Sequence, residues 1–219
     1  AMDVRLKVCC IASVDEALLA IDAGASALGL VAAMPSGPGP IDDALIAEIA
    51  ARVPPPVATF LLTSETNPDA VVAHVARCRA STVQLVDAVA PATYAALRRA
   101  HPTVKIVQVL HVTGASTVDE SVRVAPHVDA VLLDSGRPDL AVKELGGTGR
   151  THDWSVSRRV VEACGKPVFL AGGLRAENVG EALRVVRPFG LDVCSGVRTN
   201  GRLDGEKLRT FVAAMRAGG

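Results

Sequence analysis

The sequence predicts an α/β protein built as one (β/α)8 barrel, the TIM-barrel architecture, with residues 1–219 forming a single domain. Three observations predict it. A short Val/Leu/Ile run followed by a longer Ala-rich segment recurs eight times, with little left over at either end. No composition shift or long polar linker divides the chain. The turn after the first apolar run reads Cys9-Cys10-Ile11-Ala12-Ser13, which lacks the GxGxxG of a dinucleotide-binding open sheet and so disfavours the doubly wound alternative.

The elements follow in order. Strands are expected at Val4–Cys9, Ala27–Val31, Val57–Leu62, Thr82–Leu85, Val104–Leu110, Ala130–Asp134, Val168–Ala171 and Leu191–Cys194. Between them helices are expected at Val14–Ala23, Asp42–Arg52, Pro68–Cys78, Pro91–Ala100, Val118–Val124, Ser155–Ala163, Glu177–Val186 and Gly205–Ala217. Ser13 with Glu16 three positions on has capping-box spacing, and Asn67-Pro68 and Ala90-Pro91 set proline in a first turn. Gly24, Gly165 and Gly190 fall where helices should end.

Composition narrows the function classes. Hydrophobic residues make up 49% of the chain and aromatics only 3%, so the core must be aliphatic, which suits buried parallel strands. Formal net charge is +0 without a Lys/Arg block, so no nucleic-acid or membrane partner is expected. The apolar runs fall far short of the roughly 20 residues of a membrane helix. Ala1-Met2-Asp3-Val4-Arg5 has no signal-peptide pattern, and the odd set Cys9, Cys10, Cys78, Cys164 and Cys194 lacks CxxC or Cys/His ligand spacing. A reduced, cytoplasmic protein without a metal site is the expectation.

In such a barrel the carboxyl ends of all strands share one opening. Cys9 closes the first strand and Asp134 the sixth, three steps apart round the ring, so a thiol and a carboxyl would face one another over the mouth. A lone cysteine often serves as a small buried hydrophobe, and that alternative stands for Cys9. An Asp directly after Val131-Leu132-Leu133 is costly to bury and points to a role at the rim. Gly172-Gly173 and Ser195-Gly196 end the last two strands, where barrels often bind phosphate through close backbone approach. The long connection Ser135 to Asp153 is expected to cover the site, with Arg150 as a charged contact, Thr151 or Asp153 as cap and Trp154 as anchor. His152 reads as solvated or capping, while His74, His101, His111 and His127 are scattered. Lys7 shares the strand face of Cys9, and an ion pair inside the barrel is its expected role.

With these motifs set out, the chain resembles the phosphoribosylanthranilate isomerase family of tryptophan synthesis. Lys7-Val8-Cys9-Cys10-Ile11 matches that family's Lys-Ile/Val-Cys-Gly-Ile, and Gly146-Gly147-Thr148-Gly149-Arg150-Thr151-His152-Asp153-Trp154 its Gly-Gly-Thr-Gly-Lys-Thr-Phe-Asp-Trp. Val83-Gln84-Leu85, Leu132-Leu133-Asp134, Leu170-Ala171-Gly172-Gly173-Leu174 and Asp192-Val193-Cys194-Ser195-Gly196-Val197 extend the likeness over essentially the whole chain. The resemblance implies a cofactor-free Amadori rearrangement of a phosphoribosyl amine, with Cys9 as general base and Asp134 as general acid. Gly172, Gly173, Ser195 and Gly196 would hold the phosphate, and Arg137, Gly147 and Arg150 the rest of the substrate. The expected partner is this small molecule alone, bound by a monomer or a homodimer.

Three departures bear on that expectation. Cys10 stands where the family has glycine, and Val86-Asp87 stands where His-Gly follows Gln-Leu. The family's Ser-Pro-Arg loop after the second strand, whose arginine grips the anthranilate carboxylate, reads Pro35-Ser36-Gly37-Pro38-Gly39-Pro40 here. A lost clamp costs about 1.5–3 kcal/mol per charged hydrogen bond. Arg137, just past the acid, is the candidate substitute. Two alternatives therefore stand beside the isomerase: a paralogue acting on another phosphoribosyl amine, and a barrel that binds a phosphorylated ligand without turning it over.

Overall fold

The computed structural model describes residues 3–134 and 149–219, with side chains from Trp154 onward in the second stretch. Eight parallel strands close on themselves in chain order: β1 (Arg5–Val8), β2 (Ala27–Val31), β3 (Ala58–Thr63), β4 (Thr82–Leu85), β5 (Lys105–His111), β6 (Ala130–Asp134), β7 (Val168–Ala171) and β8 (Gly190–Val193). Around them lie α1 (Val14–Ala23), α2 (Asp43–Arg52), α3 (Pro68–Cys78), α4 (Pro91–Ala100), α5 (Ser116–Val124), α6 (Gly149–Ala163), α7 (Val179–Val186) and α8 (Gly205–Gly218). The expected (β/α)8 barrel is the fold. A short hairpin, β9 (Arg198–Thr199) with β10 (Arg202–Leu203), follows β8 and was not signalled by the sequence, because two-residue strands carry no period. None of the described helices is long and apolar enough to cross a membrane.

The seam is the part of the barrel that matters most for the mouth. β1 pairs with β8 in the register Lys7↔Asp192 and Val8↔Val193, which brings the barrel's first strand beside its eighth. Hydrophobic residues fall into two layers. One lies between strands and helices and includes Leu6, Val8, Leu28, Leu61 and Phe211, each 1% exposed or less. The other fills the barrel itself with Cys9, Ala27, Val31, Phe60, Val107, Leu132 and Phe169. Alternation along β1 therefore sends Lys7 and Cys9 inward and Leu6 and Val8 outward.

Local chemistry sets the helix starts. Ser13 Oγ accepts from Glu16 N–H at 3.1 Å, while the Glu16 carboxylate reaches past the cap to accept from Ala12 N–H at 3.0 Å. Asn67 Oδ1 caps α3 by accepting from Asp69 and Ala70 N–H at 3.0 and 3.3 Å, and proline occupies its first turn as expected. Several boundaries depart from the sequence reading; α5, for one, starts at Ser116 rather than Val118. Gly190 opens β8 rather than ending a helix, because Arg187 takes the left-handed position at φ 52°. α6 begins at Gly149 rather than Ser155, so Trp154 lies inside it, where it is buried. α7 begins at Val179, which releases Glu177 and Asn178 into the preceding turn.

Candidate active site

The mouth is assembled at the carboxyl ends of the strands. β1 delivers Cys9, which is 6% exposed. Gly29 of β2 makes room for it: a Cβ there would stand 2.5 Å from Cys9 Sγ. Beneath Cys9 a buried ion pair, Lys7 Nζ to Asp192 Oδ2 at 3.0 Å, spans the seam, with the Lys7 ammonium 5.3 Å from the Phe60 ring centroid. Lys7 is thus the interior ion-pair residue the sequence suggested. Burial would push its ammonium down, but Asp192, Cys9 and Cys10 outweigh burial and hold it above its ordinary value.

Asp134 closes β6 and stands 41% exposed at the rim, so water and ligand can both reach it. β5 sets His111 in register with it, Nδ1 lying 3.9 Å from Asp134 Oδ2. Sequence reasoning passed over His111 as one scattered histidine; its place as the last residue of a strand was the available signal. Asp192 connects the two sides of the mouth electrostatically. Its charge opposes that of Cys9, and the charge of Asp134 in turn opposes its own. Gln84 on β4 pairs with Leu62 and Val107, both interior residues, and its buried Oε1 has no hydrogen-bond partner among the described residues. A buried acceptor left open in this way suits a donor brought by a ligand or a water.

Cys10 adopts φ 60°, the left-handed region in which glycine is at ease and other residues are strained by about 1–2 kcal/mol. The 35–40 loop is fitted around it. Cys10 Sγ lies 3.6 Å from the Pro38 carbonyl, and a Cβ on Gly39 would come within 2.7 Å of Cys10 Cβ. Arg198, 8% exposed at its side chain, locks the same turn, donating through Nη2 to the carbonyls of Cys9 at 2.9 Å and Cys10 at 2.6 Å. Its other nitrogen, Nη1, lies 3.3 Å from the Glu16 carboxylate. No sequence pattern marks Arg198 for this work.

The thiols influence one another. Hydrogen bonding from Cys10 is the largest effect on Cys9; burial opposes it, Lys7 adds to it, and the Cys9 thiol lies below its ordinary value. Cys10 is pushed up by its hydrogen bonds to Cys194 and Cys9 and by burial. Cys194, its sulfur 2.9 Å from that of Cys10, is lowered to about 7 by Cys10 first and by the Arg198 guanidinium, against burial. A thiol held below its ordinary value at the end of β1 and a carboxyl at the end of β6 are residue types that can exchange protons with a ligand.

The glycine turns also converge. Gly172 and Gly173 have φ 98° and 64°, and Asn178 braces them: Nδ2 donates to the Gly173 carbonyl and Oδ1 accepts from Arg175 N–H, each at 2.9 Å. Gly196 lies so close to this turn that a Cβ would overlap the Leu174 carbonyl oxygen. The loops after β7 and β8 are therefore packed backbone on backbone. Arg137 and Gly147 lie outside the described residues, as does the side chain of Arg150.

Away from the mouth, the fold gathers Asp43, His74 and Cys78, ligand atoms within 4.8 Å of one another. Here the sequence reading was too quick, since His74 and Cys78 are one helical turn apart. The cluster is already satisfied. His74 bonds Asp43 at 3.0 Å and Thr63 Oγ1 at 2.7 Å, Arg77 holds Asp43 at 3.1 Å, and burial pushes Cys78 up to about 12. It clamps α2 to α3.

A closed parallel barrel with a thiol and a carboxyl at its strand ends and tight glycine turns after its seventh and eighth strands is the form of a barrel enzyme. A family model described as N-(5'-phosphoribosyl)anthranilate (PRA) isomerase matches residues 6–214. The chain belongs to that family, and it is an isomerase. It is 38% identical over 210 residues to N-(5'-phosphoribosyl)anthranilate isomerase 2 of Methanosarcina mazei, covering 95% of this chain and 92% of that one. It is 36% identical to the isomerase of Haloarcula marismortui, over 95% and 94% of the two chains. Among solved structures it is similar to the phosphoribosyl anthranilate isomerases of Thermococcus kodakaraensis (TM-score 0.82, 28% identity, 97% and 98% coverage) and Pyrococcus furiosus (TM-score 0.81, 26% identity, 98% and 99% coverage).

Proposed function

We propose that this chain converts N-(5'-phosphoribosyl)anthranilate to 1-(2-carboxyphenylamino)-1-deoxyribulose 5-phosphate, as a cytoplasmic enzyme of tryptophan synthesis. Asp134 donates a proton to the furanose ring oxygen. The amine lone pair then opens the ring to an iminium, and the Cys9 thiolate removes the C2 proton to give an enolamine that tautomerises to the ketose. The turns at Gly172-Gly173 and Ser195-Gly196 hold the phosphate by backbone N–H groups, and Arg137, Gly147 and Arg150 contact the remainder of the substrate. The observation that carries this reading is a buried, acidified thiol at the end of β1 in a barrel whose sixth strand ends in a carboxyl.

The test is turnover, followed by loss of substrate fluorescence. Cys9→Ser and Asp134→Asn should each lower kcat/KM by about 100-fold or more, the scale of a lost general acid or base, while circular dichroism stays that of the wild type. Full activity in either variant removes that residue from the mechanism. The 35–40 loop, which carries no arginine, favours a second reading in which the native amine is not anthranilate. Replacing Ser36–Pro40 with an arginine-bearing loop should lower KM for the anthranilate substrate if that clamp alone is missing; an unchanged KM supports the other amine.

A further inference from the structure

We propose that Cys10 and Cys194 are an oxidation site: hydrogen peroxide joins them in a reversible disulfide across the barrel seam. Both are free thiols, and their sulfurs lie 2.9 Å apart although the residues are 184 positions apart. They leave neighbouring strands just beyond the paired Val8 and Val193. Strands spaced about 4.8 Å apart bring such positions within the roughly 4.4–6.8 Å Cα separation that a disulfide spans. The Cys10 sulfur is also held in place. Arg198 binds the Cys9 and Cys10 carbonyls from one side, and Pro38 and Gly39 back the side chain from the other. The isomerisation described above asks nothing of Cys194.

The chemistry balances with peroxide as the oxidant. Cys194 is partly exposed and sits beside the Arg198 guanidinium, so it is the thiolate that meets peroxide. Its sulfur attacks one peroxide oxygen, the O–O bond breaks, and the departing hydroxide takes a proton to leave as water, giving a sulfenic acid on Cys194. Cys10 sulfur then attacks Cys194 sulfur; the S–S bond forms, the S–O bond breaks, and hydroxide leaves as water with the proton from Cys10. Two thiols lose two electrons, and one peroxide becomes two waters. A dithiol reductant reverses the bond by exchange. Once oxidised, Cys10 no longer has an S–H to offer Cys9. The predicted loss of turnover rests on Cys9 being the base; formation of the bond does not.

Reduced wild-type enzyme would be exposed to peroxide, quenched with N-ethylmaleimide, digested with trypsin without reductant and read by mass spectrometry. The expected product is Val8–Arg52 linked to Val185–Arg198 through Cys10 and Cys194, with the maleimide on Cys9. Turnover at neutral pH should fall about tenfold, the effect of raising a base by about one pKa unit, and dithiothreitol should restore it. Cys194→Ser, compared with its own reduced activity, should keep most of its turnover under the same exposure. Absence of the linked pair, a link made through Cys9, or inactivation of Cys194→Ser at the wild-type rate would each overturn the proposal. A protein that forms the bond yet never turns over the anthranilate substrate would sink the assignment of activity and leave the oxidation site standing.

Discussion

Cys10 shows how one residue is shaped by conflicting demands. Its backbone wants glycine, yet its side chain supplies the hydrogen bond that most strongly favours thiolate at Cys9. Cys10→Gly should relieve the left-handed strain while removing that donor. The Cys9 thiol then rises, and with Cys9 as the base proposed above, which acts deprotonated, the acid limb of the kcat/KM profile should move to higher pH. A limb that stays put in a pH–rate series would detach Cys10 from the base. Gly29 makes a second case. Gly29→Ala puts a methyl 2.5 Å from Cys9 Sγ, so it should lower kcat well beyond any change in melting temperature. Cys9, Asp134 and the glycine pairs were legible because each ends an apolar run. Arg198 and Asn178 were not, since each acts on a backbone carbonyl that only the folded chain brings near.

Among the elements, the start of α1 is tied into the mouth through Glu16. Its carboxylate accepts from Ala12 N–H, from Leu203 N–H at 3.0 Å in β10, and from Arg198. A cap alone is worth about 1 kcal/mol, the loss expected for Ser13→Ala in urea unfolding. Glu16→Ala should cost more, about 3–5 kcal/mol, because it strands a nearly buried guanidinium. Equal losses for the two variants would mean Glu16 is only a cap. The Ser13–Glu16 spacing was visible before folding, but not this second use, for which the hairpin β9–β10 had to be known. The two helices with proline in their first turn, α3 and α4, kept their expected bounds, whereas α6 and α7, without one, shifted.

At the scale of the molecule, eight alternating segments were enough to read the barrel, since periodicity and count survive errors at each boundary. What they could not reveal is the partner of Lys7, whose interior ion pair was expected but whose counter-ion lies on a strand that only closure brings alongside. Lys7 and Asp192 share one buried ion pair where an aliphatic core would otherwise continue. Lys7→Met leaves the Asp192 carboxylate alone there and should destabilise by about 3–5 kcal/mol. Adding Asp192→Leu should recover most of that loss, and calorimetry on both variants decides it: a double variant no more stable than the single one would show that the pair contributes more than mutual neutralisation.

The pairing of β1 with β8 has a further consequence for how the chain is made. On the ribosome, the edge of Arg5–Val8 that will meet Gly190–Val193 has no partner until that eighth strand has been made. Throughout that interval Lys7 lacks its counter-ion, so the nascent barrel must stay open along one side, and the Cys9 thiol gains its surroundings only once Gly190–Val193 has docked.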